Sequence, residues 1–168
     1  IAHEDIVDNV VTNGSYNFAN STNDPSPTGT ADDHGTMVTG IIAAKGWNNK
    51  GVRGVAPNAS IKAFNMILNG DTGTIANEVL ALGAMSLASD VSVFNMSYGG
   101  YDAAYYSDET ALTYVRSELE DQMIAGTSNL RNSKGASYVI ASGNDYYKVD
   151  QSQDVSDPPN IFTFLVDL

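Results

Sequence analysis

Apolar, strand-like runs alternate with helical ones along this chain, and that alternation restricts the fold more than any other feature of the sequence. ASIKAFNMI (59 to 67), VSVFNMSY (91 to 98), ASYVIASG (136 to 143) and NIFTFLV (160 to 166) are rich in β-branched and aromatic residues and are bounded by Gly, Pro, Asn or Asp. These are the marks of buried strands. Helical patterns lie between them at 34 to 45, about 74 to 88 and about 108 to 125. In the last of these Leu112, Val115, Leu119 and Met123 fall at helical spacing, Ser107 offers a cap, Asp108 and Glu109 suit the first turn, and Gly126 suits the stop. Strand and helix in turn predict an α/β fold, a parallel sheet with helices on both faces. The stretch NSTNDPSPTGTADD (20 to 33) is dense in turn residues and acids and reads as a surface loop.

Composition then narrows the possible partners. At 168 residues, 42% of them hydrophobic and with nine Tyr and five Phe, the chain has enough apolar material for one globular core. Twenty acidic side chains against 8 basic ones leave a net charge of -12. Such a surface repels nucleic acid and anionic membrane and attracts cations and basic peptides. Zero cysteines exclude a disulfide framework, a thiolate metal site and a cysteine nucleophile, and say nothing of the compartment. No apolar run approaches the ~20 residues needed to span a bilayer. The chain opens at Ile1 directly into IAHEDIVDNV, which reads as the inside of a folded segment, so an excised or incomplete chain is expected.

In an open parallel sheet, functional side chains gather at the carboxyl ends of strands and at the helix starts that follow them. Three candidates line up there. His34 opens the apolar helix of DHGTMVTGIIAA, NMSYGG (95 to 100) ends a strand in two glycines, and ASGN (141 to 144) ends another in Gly143 and Asn144. Each alone has an ordinary reading: a histidine near a helix start is solvated or caps, a Gly pair is a turn, and Asn after Gly is a turn residue. Histidine is nevertheless the side chain best suited to proton transfer near neutral pH. The three together, in this order, carry weight that none has alone.

HEDIVDN, DDHGTMVTGIIAAKGWNNKGVRGVAPNASI, NMSYGG and RNSKGASYVIASGN cover nearly the whole chain to about residue 145. Together they resemble the subtilisin-like serine proteases, and within them the kexin and furin-like proprotein convertases. The resemblance implies a subtilisin-like three-layer α/β/α fold with a mainly parallel sheet. Residues 1 to 168 would form a partial catalytic domain, incomplete at both ends. His34 matches the general base, which takes the proton from a serine hydroxyl and returns it to the leaving amine. Asn144 matches the side-chain donor of the oxyanion hole. Ser97, Tyr98 and Gly99 match the edge segment that holds the substrate backbone by strand addition.

The resemblance places the family's aspartate motif, D-[DST]-G, a few residues ahead of IAHED and its serine motif, G-T-S-x-[AS]-x-P, well beyond Asn144, so both are expected to fall outside residues 1 to 168. Residues 1 to 168 alone are therefore expected to lack protease activity. AGTSNL (125 to 130) does contain a G-T-S triplet, but it precedes Asn144 and lacks the small residue and the proline, so Ser128 reads as a loop residue. His3 and Glu4 make no zinc motif, because the second histidine of H-E-x-x-H would fall on Val7.

The resemblance also implies a structural calcium ion, held by Asp5, Asn48 and the backbone carbonyls of Gly46, Lys50 and Val52. The other reading of WNNKG is a polar turn. Asp102 matches a carboxylate that lines a pocket for a basic side chain, and Glu78 an acid farther along the cleft. Asp102 is equally readable as one surface acid among many. Cleavage after Arg or Lys is the resulting expectation. Met37, after HGT, departs from the family pattern without touching its chemistry, and GNDYY (143 to 147) departs from it by putting two tyrosines near the cleft, where they either alter access or cap the strand.

Two functions remain open. One is a serine endopeptidase acting on peptide or protein substrates, monomeric at full length and secreted or periplasmic like its kin. The other is a non-catalytic truncated homologue, or pseudo-protease, that binds peptides without cleaving them.

Overall fold

The computed structural model describes residues 1–26, 33–66, 74–98 and 109–141, with the backbone alone over 109–116. In chain order the elements are β1 (Tyr16–Asn17), α1 (His34–Ala43), β2 (Phe64–Asn65), α2 (Ile75–Val79), β3 (Val93–Met96), α3 (Glu109–Ser133) and β4 (Ser137–Ile140). Both strand pairs are parallel. β1 runs beside β2 with Tyr16 opposite Phe64, and β3 beside β4 with Val93 opposite Ser137 and Met96 opposite Ile140. An isolated parallel bridge, Val10 to Ile61, carries the first pairing toward the amino terminus. Parallel partners separated by helices are what the alternating sequence predicts.

β3 shows the two-residue period of a strand with one face inward: Phe94 and Met96 are buried while Val93 is 56% exposed. The main apolar cluster forms on that inward face from Leu82, Ala88, Phe94, Met96, Met123 and Leu130. Phe94 stacks on Tyr138 of β4, ring centroids 4.9 Å apart and nearly coplanar at 8°. The 91 to 98 and 136 to 143 runs read as buried strands; among the described residues Val93 and Val139 are exposed on the opposite face.

The segment between β2 and β3 departs from a plain helix. α2 begins at Thr74, whose hydroxyl caps it by accepting the Asn77 N–H at 3.3 Å. It passes into a π turn, Leu80–Ala84, and then a 3-10 turn, Ser86–Ala88. Gly83, at φ 129°, makes the break, a conformation that side-chain-bearing residues rarely hold. The Leu82 carbonyl at the break accepts the Tyr138 hydroxyl at 2.9 Å and the Gln122 amide at 3.4 Å. The interruption thus ties the segment to both α3 and β4.

α3 corrects two expectations. It runs on past Gly126 to Ser133, with helical dihedrals lost only from Leu130 and left-handed backbone at Arg131, Asn132 and Ser133. Gly126 is no stop. It lies buried where the helix crosses β4, and a Cβ there would come within 1.8 Å of the Tyr138 hydroxyl. Ser128 accordingly sits in the helix, exposed, rather than in a loop. Leu119 and Met123 meet the core as their spacing requires. The strand read at 160 to 166, and the cap and first-turn residues Ser107 and Asp108, lie outside the described residues.

Candidate active site

α1 is apolar on most of its surface and is held by its carboxyl end. Ala43 and Ala44 are buried against Ile6 and Ile61. The last carbonyls of a helix lack intrahelical donors, and here the GVRGVAP segment supplies them. Gly54 N donates to Ala44 O at 3.0 Å, Val55 N to Ile41 O at 3.0 Å and Ala56 N to Ile42 O at 2.7 Å. The Asn9 amide fills the remaining gap, donating to Ala43 O at 3.0 Å and to Pro57 O at 2.8 Å. Gly54 must be glycine for this approach: a Cβ would lie 2.5 Å from the Ala44 nitrogen. The two sequence stretches HEDIVDN and GVRGVAP therefore clamp one end of a rigid rod.

His34 stands at the other end. It is the first residue of α1 and is exposed, next to Asp33, whose carbonyl accepts the Met37 N–H at 3.0 Å. Among the described residues no hydrogen bond joins His34 to Ser97 or Tyr98.

The parallel pairing of β3 and β4 puts their carboxyl ends side by side, and Ala141 N extends the ladder by donating to Met96 O at 3.1 Å. Ser97 and Tyr98 continue from β3 at this end, and the Ser97 hydroxyl accepts from the Asn95 amide at 2.9 Å. The expected positions Gly99, Asp102 and Asn144 lie outside the described residues.

Glu78 of α2 meets Tyr98 here. The Tyr98 hydroxyl donates to Glu78 Oε1 at 2.9 Å, both side chains being half-buried. Burial pushes the Glu78 carboxyl above its usual range, opposed in part by that hydrogen bond. Burial, and then the neighbouring Glu78 charge, drive the Tyr98 hydroxyl far above its ordinary value, so it remains a donor at any working pH. Two residues assigned to the cleft separately are thus one unit, twenty positions apart in sequence.

The loop from Gly46 to Val52 wraps around Asp5, with left-handed backbone at Trp47, Asn49 and Gly51. Buried Asp5 accepts the Val52 N–H at Oδ2, 2.9 Å, and its carbonyl accepts the Lys45 N–H at 2.7 Å. Gly51 fits no other residue, because a Cβ would fall 1.9 Å from Asp5 Oδ2. Among the described residues, the buried side-chain atoms without a partner are Asp5 Oδ1 and Asn48 Nδ2. These belong to the two side chains that the resemblance assigns to calcium. A buried carboxylate oxygen left unpaired is costly without a cation. Turning the Asn48 amide about its last bond exchanges the orphan nitrogen for an oxygen, at the expense of a 3.2 Å bond from Lys50 N. The donor set, one carboxylate, one amide and backbone carbonyls, is all oxygen and suits a hard cation. The residues present fit calcium.

The subtilase family model matches residues 1–164. The chain belongs to the subtilase family. Its α/β arrangement is that of the subtilisin-like proteases: the crystal structure of a serine protease of Aeromonas sobria superposes with a TM-score of 0.75 at 35% identity, covering 87% of this chain and 23% of that one. In sequence, the Aeromonas extracellular serine protease is 35% identical over 149 residues, 89% of this chain and 23% of its own length. Kexin of Saccharomyces cerevisiae is 37% identical over 143 residues, 84% of this chain and 16% of its own. The chain thus spans less than a quarter of the length of these subtilase relatives.

Sequence reading missed Asn9 as the clamp of α1 and Tyr98 as the partner of Glu78. Asn9 was within reach, since HEDIVDN was already singled out and an amide inside an apolar stretch asks for a buried partner. The Tyr98 pairing had no sequence signal.

Proposed function

We propose that this chain belongs to the catalytic domain of a calcium-stabilised serine endopeptidase that prefers basic residues in its peptide substrates. The observation that carries the reading is His34 at the free end of a helix clamped at its other end, in a chain of the subtilase family. A rigid helix holds an imidazole in one place, which is what a general base requires.

In this reading His34 takes the proton of the attacking serine hydroxyl and passes it to the leaving amine. The amide of Asn144 donates to the oxyanion of the tetrahedral intermediate; loss of such a donor costs about 2.7–4 kcal/mol in subtilisin itself. The backbone of Ser97, Tyr98 and Gly99 pairs with the substrate as an added strand. Glu78 and Asp102 attract basic side chains, in keeping with a net charge of -12. Asp5, Asn48 and the carbonyls of Gly46, Lys50 and Val52 hold the calcium ion, which supplies cohesion to the loop rather than chemistry. Export from the cell accords with the name of the extracellular Aeromonas relative, and among the described residues no helix is long and apolar enough to cross a membrane.

The test uses the complete gene product that carries residues 1–168. Cleavage of a fluorogenic peptide with Arg before the scissile bond, together with covalent labelling by diisopropyl fluorophosphate, is the expected result. Peptide binding with neither cleavage nor labelling would replace the endopeptidase with the non-catalytic alternative. The isolated 1–168 chain is expected to take no label.

A further inference from the structure

The basic-residue subsite contains a control that the acid alone does not provide. Glu78 is anchored at one oxygen: Oε1 accepts the Tyr98 hydroxyl at 2.9 Å. Among the described residues, its other oxygen, Oε2, makes no hydrogen bond. Tyr98 is itself fixed, because it lies two residues past the end of β3 and packs against the main apolar cluster. α2 is a helix of five residues that leads into a kinked π turn, a weak support for a carboxylate that must meet a ligand in one geometry.

We propose that Tyr98 is a positioning residue for the basic-side-chain subsite: its hydroxyl holds Glu78 by Oε1 and so presents Oε2 to the guanidinium or ammonium group of a bound peptide. This rests on the reading of Glu78 as a cleft acid and adds the group that aims it. A charge-assisted pair depends steeply on direction, and an unanchored Glu loses side-chain freedom when it binds.

The arrangement also makes the preference depend on pH. Among the described residues, burial raises the Glu78 pKa and the Tyr98 hydrogen bond lowers it. The subsite loses its charge as pH falls through that value. Removing the hydroxyl removes the lowering influence, so the loss begins at higher pH.

The experiment measures kcat/KM of the complete gene product on fluorogenic tetrapeptides bearing Arg or norleucine at each position in turn, across pH. The ratio of Arg to norleucine is the readout, which cancels any general loss of activity. In Tyr98→Phe the ratio is expected to fall about tenfold, the worth of one hydrogen bond to a charged group, and the midpoint of its acid limb to move to higher pH. Glu78→Asp withdraws the carboxylate by one methylene from the hydroxyl and is expected to lose the preference to a similar extent, so the outcome does not depend on one variant folding. Glu78→Gln is expected to abolish the preference at every pH. If Glu78→Gln abolishes it while Tyr98→Phe and Glu78→Asp keep the wild-type ratio and midpoint, the positioning role is wrong and the acid subsite stands. If Glu78→Gln keeps the preference, the acid subsite falls and the positioning role with it.

Discussion

Glu78 stands where burial and charge oppose each other, and its titration tests its surroundings directly. Its folded pKa is raised, first by burial. A raised folded pKa means that the full stability is present below the unfolded value and is lost as pH rises through the folded one. Glu78→Gln keeps an acceptor for the Tyr98 hydroxyl and has no charge to bury. The variant is expected to melt at a higher temperature than the wild type near neutral pH, with the gain shrinking as pH falls into the usual carboxyl range. A variant that melts lower at neutral pH would show that the buried charge is balanced by something other than Tyr98. Residue-scale chemistry was only partly legible in the sequence. The residue types of His34, Glu78 and Asp5 announced themselves, whereas a hydrogen bond between positions 78 and 98 depends on how two elements pack. No spacing rule encodes that.

The elements explain why the motifs around His34 look as they do. GVRGVAP serves the end of α1, three of its N–H groups meeting three of the helix's carbonyls, and Asn9 bridges a fourth carbonyl to Pro57. Asn9→Leu leaves two carbonyls without their donor. It is expected to cost about 2 kcal/mol or more, read as a fall in thermal or denaturant midpoint with the m-value unchanged. A near-neutral result would mean that water replaces the amide and that the clamp rests on GVRGVAP alone. Gly126→Ala should destabilise through a different route, because the Tyr138 hydroxyl, 1.8 Å from the added Cβ, must leave the Leu82 carbonyl it serves. Element existence was readable from periodicity. The end of α3 was not, since glycine marks both helix ends and close crossings, and sequence alone does not tell which. The break at Gly83 escaped for a related reason: the apolar period runs on through it while the backbone turns.

At the scale of the whole molecule, charge and cation binding belong together. A chain of -12 carries self-repulsion, and Asp5 adds a buried carboxylate oxygen with no partner among the described residues. Calcium at the Gly46 to Val52 loop is expected to raise the melting temperature of the protein in a concentration-dependent way. A chelator should lower it again, and Asp5→Ala should erase the response. A melting temperature indifferent to calcium and chelator would remove the ion from the account. The fold class was the most legible feature, because strand and helix alternation leaves few arrangements besides a parallel sheet. The candidate site reads in the sequence as three separate stretches, joined there only by their order in the chain.

The central claim is that His34 is the general base of a serine endopeptidase, and one substitution tests it most directly. In the complete gene product, His34→Ala should lower kcat on an Arg-containing fluorogenic peptide by about a millionfold, the loss seen for this role in subtilisin itself, with KM little changed. Retention of most of the wild-type kcat in a folded His34→Ala protein would contradict it.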